Sequence, residues 1–311
     1  MMATPINVFF MGKGGVGKST SAALNAVFLA QKGFKTILVS MDPAHNQSDI
    51  LQRRLGDRAV RFTSTFSAIE IDQERWIKTY LKDVQGHIGR TYAYLTAFNL
   101  DRYFKVIRHS PGLEEYALTL ACTHIRKTHG DCDYLVFDMP PTALSLKFFH
   151  LPTLSLIWIE QLLNLRRDII QKRDLITKIK LLDKEYERDK VLNKIQGLQS
   201  DFQGLKDLFA NENQTHMHLV LNPDLLSLAE SIRIFKGLQD IDIRVHRIVY
   251  NKTAPDSSCA QIDREFGGIP RINFPLSPTP LIGMDSLQTF LQQNSEIVEK
   301  QLEVCYQQDI S

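Results

Sequence analysis

Apolar and polar positions along this chain follow two periods. Ile6-Asn7-Val8-Phe9-Phe10-Met11 is a short apolar run rich in strand formers. A glycine cluster follows. Then comes Ser19–Lys32, whose Ala, Leu and Val recur at helical spacing, and Gly33 stands where a helix C-cap would. Thr36–Met41 is the next apolar run. Strand, loop, helix and strand in that order predict a βαβ unit and a parallel sheet. Tyr134–Phe137 leads into Asp138, His218–Leu221 into Asn222-Pro223, and Val245–Tyr250 into Asn251. Each run ends in a polar residue, where a parallel sheet presents its C-terminal edge, and open α/β sheets bind ligands there. Leu226–Leu238, between two of these runs, reads as a helix.

Two stretches break the rhythm. Trp76–Leu120 reads as largely helical, with Pro111-Gly112 as its strong breaker. Leu154–Phe209 is helical without an internal proline, and its last part carries Leu192, Ile195, Leu198, Phe202, Leu205 and Phe209 at spacings of three or four. The pattern predicts one α/β domain over residues 1–311, a mainly parallel sheet with helices on both faces. An α-helical subdomain is inserted at about 76–120 and 153–212.

Chemistry enters at the first turn of the sheet. Gly12-Lys13-Gly14-Gly15-Val16-Gly17-Lys18-Ser19-Thr20 matches G-x-x-x-x-G-K-[ST] between a predicted strand and a predicted helix. Glycines allow successive N–H groups to point inward as a nest for phosphate oxygens, and the helix N-terminus adds positive potential. Lys18 is placed to reach the β- and γ-phosphates, Ser19 to ligate Mg²⁺, and Thr20 to sit near the α-phosphate. Gly12-x-Gly14-x-x-Gly17 also satisfies the dinucleotide pattern, but Lys18-Ser19 directly after it is the phosphate-loop signature.

Composition narrows the classes. The chain has 311 residues, 43% hydrophobic and 23% charged, which excludes a disordered or fibrous protein. A net charge of +2 gives no general pull on nucleic acid. Cys122, Cys132, Cys259 and Cys305 form no C-x-x-C pair, so no zinc is expected. No apolar run reaches the ~18 residues of a span and no leader pattern stands at the N-terminus. The expectation is a cytoplasmic protein that does not itself cross a membrane.

The lysine directly after the first glycine, Lys13, resembles that of the deviant Walker A ATPases, whose branches include ArsA, MinD, ParA and the nitrogenase iron protein. Asp42-Pro43-Ala44-His45-Asn46-Gln47-Ser48-Asp49 resembles the switch I segment of the ArsA branch, D-P-A-H-N-x-S-D. Asp138-Met139-Pro140-Pro141-Thr142-Ala143-Leu144-Ser145-Leu146-Lys147 resembles its switch II segment, with Ala143, Leu144 and Lys147 replacing glycine, histidine and arginine. Weaker matches follow at Ser110–Glu115, Asn222–Ser231, Tyr250–Lys252 and Phe274–Leu276, so the resemblance spans nearly the whole chain.

The resemblance implies an Mg²⁺-dependent ATPase cycling between open and closed homodimers. It implies that Gly12, Gly14, Gly15, Val16, Gly17, Lys18, Ser19 and Thr20 hold the phosphates. Lys13 reaches the partner's nucleotide, Asp42 orients or deprotonates the attacking water, and Ser19 and Asp138 hold Mg²⁺. Asn251 reads the adenine edge, with Pro275 beside the base. Two activities of the branch are open: delivery of a hydrophobic client such as a tail-anchored membrane protein, with a membrane-associated receptor, or a metalloid-stimulated ATPase subunit of an efflux pump. An ATPase of this branch with another partner is the third reading. The family's metalloid cysteine after Pro-Gly is replaced by Leu113-Glu114. The tail Asp285–Ser311 has Lys300 as its single base, unlike the basic amphipathic tail of a membrane switch.

Overall fold

A computed structural model describes residues 4–44, 46–91, 110, 112–179, 190–254 and 260–306. The middle of each long helical stretch, Pro111 and Cys259 lie outside the described residues. Among the described residues eight strands form one sheet: β1 (Ile6–Gly12), β2 (Thr36–Ser40), β3 (Val60–Arg61), β4 (Phe66–Glu70), β5 (Tyr134–Asp138), β6 (Thr215–Leu221), β7 (Val245–Thr253) and β8 (Arg271–Pro275). Their order is β3-β4-β2-β5-β1-β6-β7-β8. Every pairing is parallel except the short β3 against β4. The fold is α/β, as the sequence predicts. Three strands escape the sequence reading. β3 has only two residues, β4 ends in a charge, and β8 holds Asn273 and ends in Pro275.

Alternation along the strands makes two cores. Phe9, Met11, Val39, Leu135 and Phe137 face one side, while Val8, Phe10, Leu38, Tyr134 and Val136 face the other. Helix α1 (Lys18–Gln31) lies on the second side and is buried along most of its length. It ends in a Schellman turn: Gly33 has φ 96°, its N–H donates to the Ala30 carbonyl, and the Phe34 N–H donates to that of Leu29. Glycine is needed there because L side chains rarely adopt that φ. The C-terminal segment, with α9 (Met284–Gln293) and α10 (Lys300–Cys305), covers α1 from outside. Buried Tyr306 donates its hydroxyl to Asn25 Oδ1 at 3.0 Å.

The remaining helices follow in chain order. Short α2 (Asn46–Ile50) follows β2, and α3 (Gln73–Thr91) packs against α4 (Leu113–Thr128). Helices α5 (Thr142–Ile179) and α6 (Lys190–Ala210) pack together, and α7 (Leu225–Gln239) and α8 (Ala260–Glu265) follow. Helix α5 begins twelve residues earlier than the Leu154 boundary read from the sequence and runs through Pro152. An interior proline costs about 3 kcal/mol. The turn just before it is anchored by Phe148 and Phe149, which are buried in the first core, so tertiary packing overrides the breaker. The stretch Thr142–Lys172 is long and apolar enough to cross a membrane by length and composition alone, with 28% of its most apolar window buried in the fold.

An aromatic knot joins sheet to helices. Phe9 stacks on Phe137 at 4.7 Å between ring centroids and meets Phe149 of α5 and Phe209 of α6 edge-on at 5.2 and 5.9 Å. Phe9→Ala should therefore lower unfolding free energy by about 3–5 kcal/mol. Urea denaturation followed by circular dichroism checks this; a loss under 1 kcal/mol would show that the knot relaxes into the gap.

Candidate active site

Parallel pairing brings the ends of β2, β5 and β1 into one row. Ser40 lies opposite Asp138, and Asp138 opposite Phe10, two residues before Gly12. The phosphate loop, the switch I loop and Asp138 therefore share one edge although they are far apart in sequence.

Two glycines of the loop are fixed by space. Gly12 runs against β6, where a Cβ would lie 2.3 Å from the Val220 carbonyl oxygen. Gly17 caps α1 with φ 92°, and a Cβ there would lie 2.2 Å from Asn251 Nδ2. The loop's carbonyls are tied to β7: Asn251 Nδ2 donates to Val16 O at 2.7 Å and Lys252 Nζ to Gly15 O at 3.3 Å. The first N–H groups of α1 have no partner within the helix and are open to an anion. Gly14 and Gly15 are exposed, and Thr20 stands half-buried on the first turn of α1.

Lys18 is buried, and its ammonium donates to the Lys13 carbonyl at a long 3.5 Å. The Lys13 side chain is half-exposed. Asp42 is buried, and its Oδ1 accepts from the Ala44 N–H at 3.0 Å, which holds the switch I turn. Asn251 is brought to the phosphate loop, and Pro275 lies on the neighbouring strand, in register with Thr253.

Asp138 is the most constrained group. It is fully buried, and desolvation pushes its carboxyl up to about 6. The Ser19 hydroxyl nearby, the hydrogen bond from Gln47 and the charge of Lys18 oppose that rise, while Asp42 adds to it. Its Oδ1 is buried with no hydrogen-bond partner, and so is the hydroxyl of the neighbouring Ser40. A hard divalent cation with its waters suits such a set: carboxylate and hydroxyl oxygens, desolvated, with acceptors to spare. The residues present therefore fit Mg²⁺.

Residues that the sequence did not single out complete the site. Gln47 Nε2 donates to the Ser19 carbonyl at 2.9 Å and to Asp138 Oδ2 at 3.0 Å. Buried Glu70, at the end of β4, accepts from the Ser48 hydroxyl at 2.5 Å and the Ser48 N–H at 3.3 Å. Glu70 was legible only to the extent that β4 was. Lys147, one of the switch II departures, pairs with buried Glu115 of α4 at 3.3 Å, and Leu144 packs on the first core.

A glycine phosphate loop between the first strand and first helix of a parallel sheet, with carboxylates at neighbouring strand ends, defines a P-loop nucleoside triphosphate hydrolase. The family model for anion-transporting ATPases (ArsA) matches residues 6–294, and the chain belongs to that family and is an ATP hydrolase. It is 25% identical over 298 residues to a protein of Aquifex aeolicus (strain VF5) named as arsenical pump-driving ATPase 2, covering 91% of this chain and 96% of that one. It is 28% identical over 263 residues to ATPase ASNA1 homolog 2 of Paramecium tetraurelia, 81% of this chain and 77% of the relative. ATPase GET3A of Arabidopsis thaliana is 27% identical over 254 residues, 80% and 67%.

Two expectations follow. Gly17→Ala should weaken nucleotide binding at least tenfold, read by fluorescent-nucleotide titration, because the new methyl collides with Asn251. Asp138→Asn should stabilise the nucleotide-free protein at pH 7.5 by about 1–3 kcal/mol. Burial pushes the native carboxyl up to about 6, above the ordinary carboxylate range, so its ionisation penalises the folded state above pH 6. The advantage of Asp138→Asn should shrink as pH falls from 6 towards 4. Urea melts at both pH values check it, and equal stability at pH 7.5 would refute it.

Proposed function

We propose that this chain is an Mg²⁺-dependent ATPase that cycles between open and closed homodimers and uses closure to bind and deliver a hydrophobic helix, such as that of a tail-anchored membrane protein. One observation carries the client reading. Helix α5, which starts four residues after Asp138, presents Leu154, Ile157, Trp158, Leu162, Leu165 and Ile169 to solvent. Trp158 is 72% exposed. Apart from the adjacent Ile157 and Trp158, these residues follow one another at three- and four-residue steps, and together they form one stripe on the helix. Exposed apolar patches of this kind mark interaction sites, and a helix laid in a groove is a recognised mode of binding. One continuous helix thus runs from the nucleotide switch to the apolar stripe. The names of the Paramecium and Arabidopsis relatives add support through the branch that the sequence resembles.

The roles proposed at the site follow its chemistry. The backbone from Gly12 to Thr20 cradles the phosphates, and Lys18 neutralises them. Ser19 and Asp138 hold Mg²⁺, which supplies charge neutralisation at the β- and γ-phosphates when bound. Asp42 orients or deprotonates the attacking water. Asn251 and Pro275 border the base. Lys13, whose side chain is half-exposed, completes the site of the partner copy.

A metalloid-stimulated ATPase is the second reading, favoured by the name of the Aquifex relative. It requires thiolates. Burial pushes the Cys122 thiol up to about 12 and that of Cys132 up to about 11, which disfavours the thiolate form of both.

Asp42→Asn should lower kcat by about 10²–10⁴ while ATP still binds. Co-expressed with a tagged protein ending in one hydrophobic helix, the Asp42→Asn chain should co-elute with it in Mg-ATP on size exclusion, near the mass of two chains plus client. Adding Trp158→Asp and Leu162→Asp should abolish co-elution and keep the nucleotide-dependent dimer. A dimer that never retains the client, with or without the stripe, would sink the delivery reading.

A further inference from the structure

We propose that Gln47 is a positioning residue for the nucleotide reaction, whose amide clamps Asp138 to the phosphate loop with one end and completes the hydration shell of Mg²⁺ with the other. The inference rests on the reading that Ser19 and Asp138 hold Mg²⁺.

Gln47 is fully buried in α2, directly after the switch I turn. A glutamine has two donors and one acceptor oxygen with two lone pairs. Its Nε2 makes two bonds, to the Ser19 carbonyl at 2.9 Å and to Asp138 Oδ2 at 3.0 Å. One side chain of switch I therefore holds the first turn of α1 and the end of β5 together. The effect on Asp138 is directional. Oδ2 is committed to Gln47, and Oδ1 is left buried without a partner. A carboxylate held in this way cannot rotate freely, and its unpaired oxygen is the one available to a cation.

The other end of the amide points to the same conclusion. Gln47 Oε1 is buried with no hydrogen-bond partner, and Ser40 Oγ and Asp138 Oδ1 share that condition. Ser40 and Asp138 are register partners at the sheet edge. Leaving one buried acceptor unpaired costs about 1–3 kcal/mol. Three such atoms at one edge describe a place built for donors that the protein itself does not supply. Mg²⁺ keeps several waters when it binds nucleotide, and each offers donors to its surroundings. Gln47 Oε1 is an acceptor for one of them. The amide thus acts through Asp138 and through water, and it touches neither phosphate nor metal directly. Partners of this kind fix the orientation of a metal ligand, and their loss typically costs 10–100-fold in metal affinity.

The test measures ADP binding by isothermal titration calorimetry, with and without millimolar Mg²⁺, for wild type, Gln47→Met and Gln47→Asn. Methionine matches the reach of glutamine without its hydrogen bonds, and asparagine keeps the amide but is one methylene short. The quantity read is the ratio of affinities with and without Mg²⁺. Both variants should lower that ratio about tenfold or more and leave Mg²⁺-free binding within about threefold of wild type. In an Asp138→Asn background, Gln47→Met should change the ratio little further. Melting temperatures without nucleotide report folding separately, so one variant that fails to fold leaves the other to decide. A ratio unchanged by both variants, or an equal loss with and without Mg²⁺, overturns the proposal. A wild-type ratio near one would instead overturn the Mg²⁺ reading on which it rests.

Discussion

A carboxylate with no access to water stands at the centre of this molecule. Asp138 closes β5 between β2 and β1, and the strand before it is apolar at every position. Burying that strand on both faces makes the sheet stable, and it also strips Asp138 of solvent. The folded chain therefore carries a group whose ionised form it disfavours, ringed by a lysine, a serine hydroxyl and an amide that partly offset the cost. A bound cation would offset the penalty that remains. The same burial that orders the core thus leaves a desolvated carboxylate at the edge where the phosphate loop and the switch segments meet.

Much of this order was legible in the sequence. β1, β2, β5, β6 and β7 are apolar runs that end in polar residues, and the glycine spacing between β1 and α1 has few chemical meanings. β4 and β8 were hidden because a serine, a glutamate, an asparagine and a proline interrupt them. Only pairing with β2 and β7 makes them strands. Gln47 was hidden for another reason. Its partners lie 28 and 91 residues away, and nothing in its local pattern separates a clamp from a solvated turn residue. Asn251 was read for the adenine edge, and its amide is found holding the phosphate loop at Val16, a contact that only the β1–β6–β7 order can bring about.

Switch II departs from the family pattern at Ala143, Leu144 and Lys147, and the structure gives two of these a physical account. Leu144 adds to the core beneath α5. Lys147 meets Glu115, a carboxylate that is 8% exposed on α4. The pair is half in water and so worth little as an energy. Its geometric effect is larger, since it fastens the base of α5 to the helix beside it.

The uninterrupted run of α5 sets a mechanical gain. The helix has 38 residues, which at 1.5 Å per residue makes a rod of about 57 Å. Its base adjoins the phosphate site and its apolar stripe is centred near Leu162, about 30 Å along. A tilt of about 5° at the base carries Leu162 through about 3 Å and the far end through about 5 Å. A hinge anywhere in the rod would absorb such a tilt, so the passage of the helix through Pro152 without a break decides how far any motion at its base would carry.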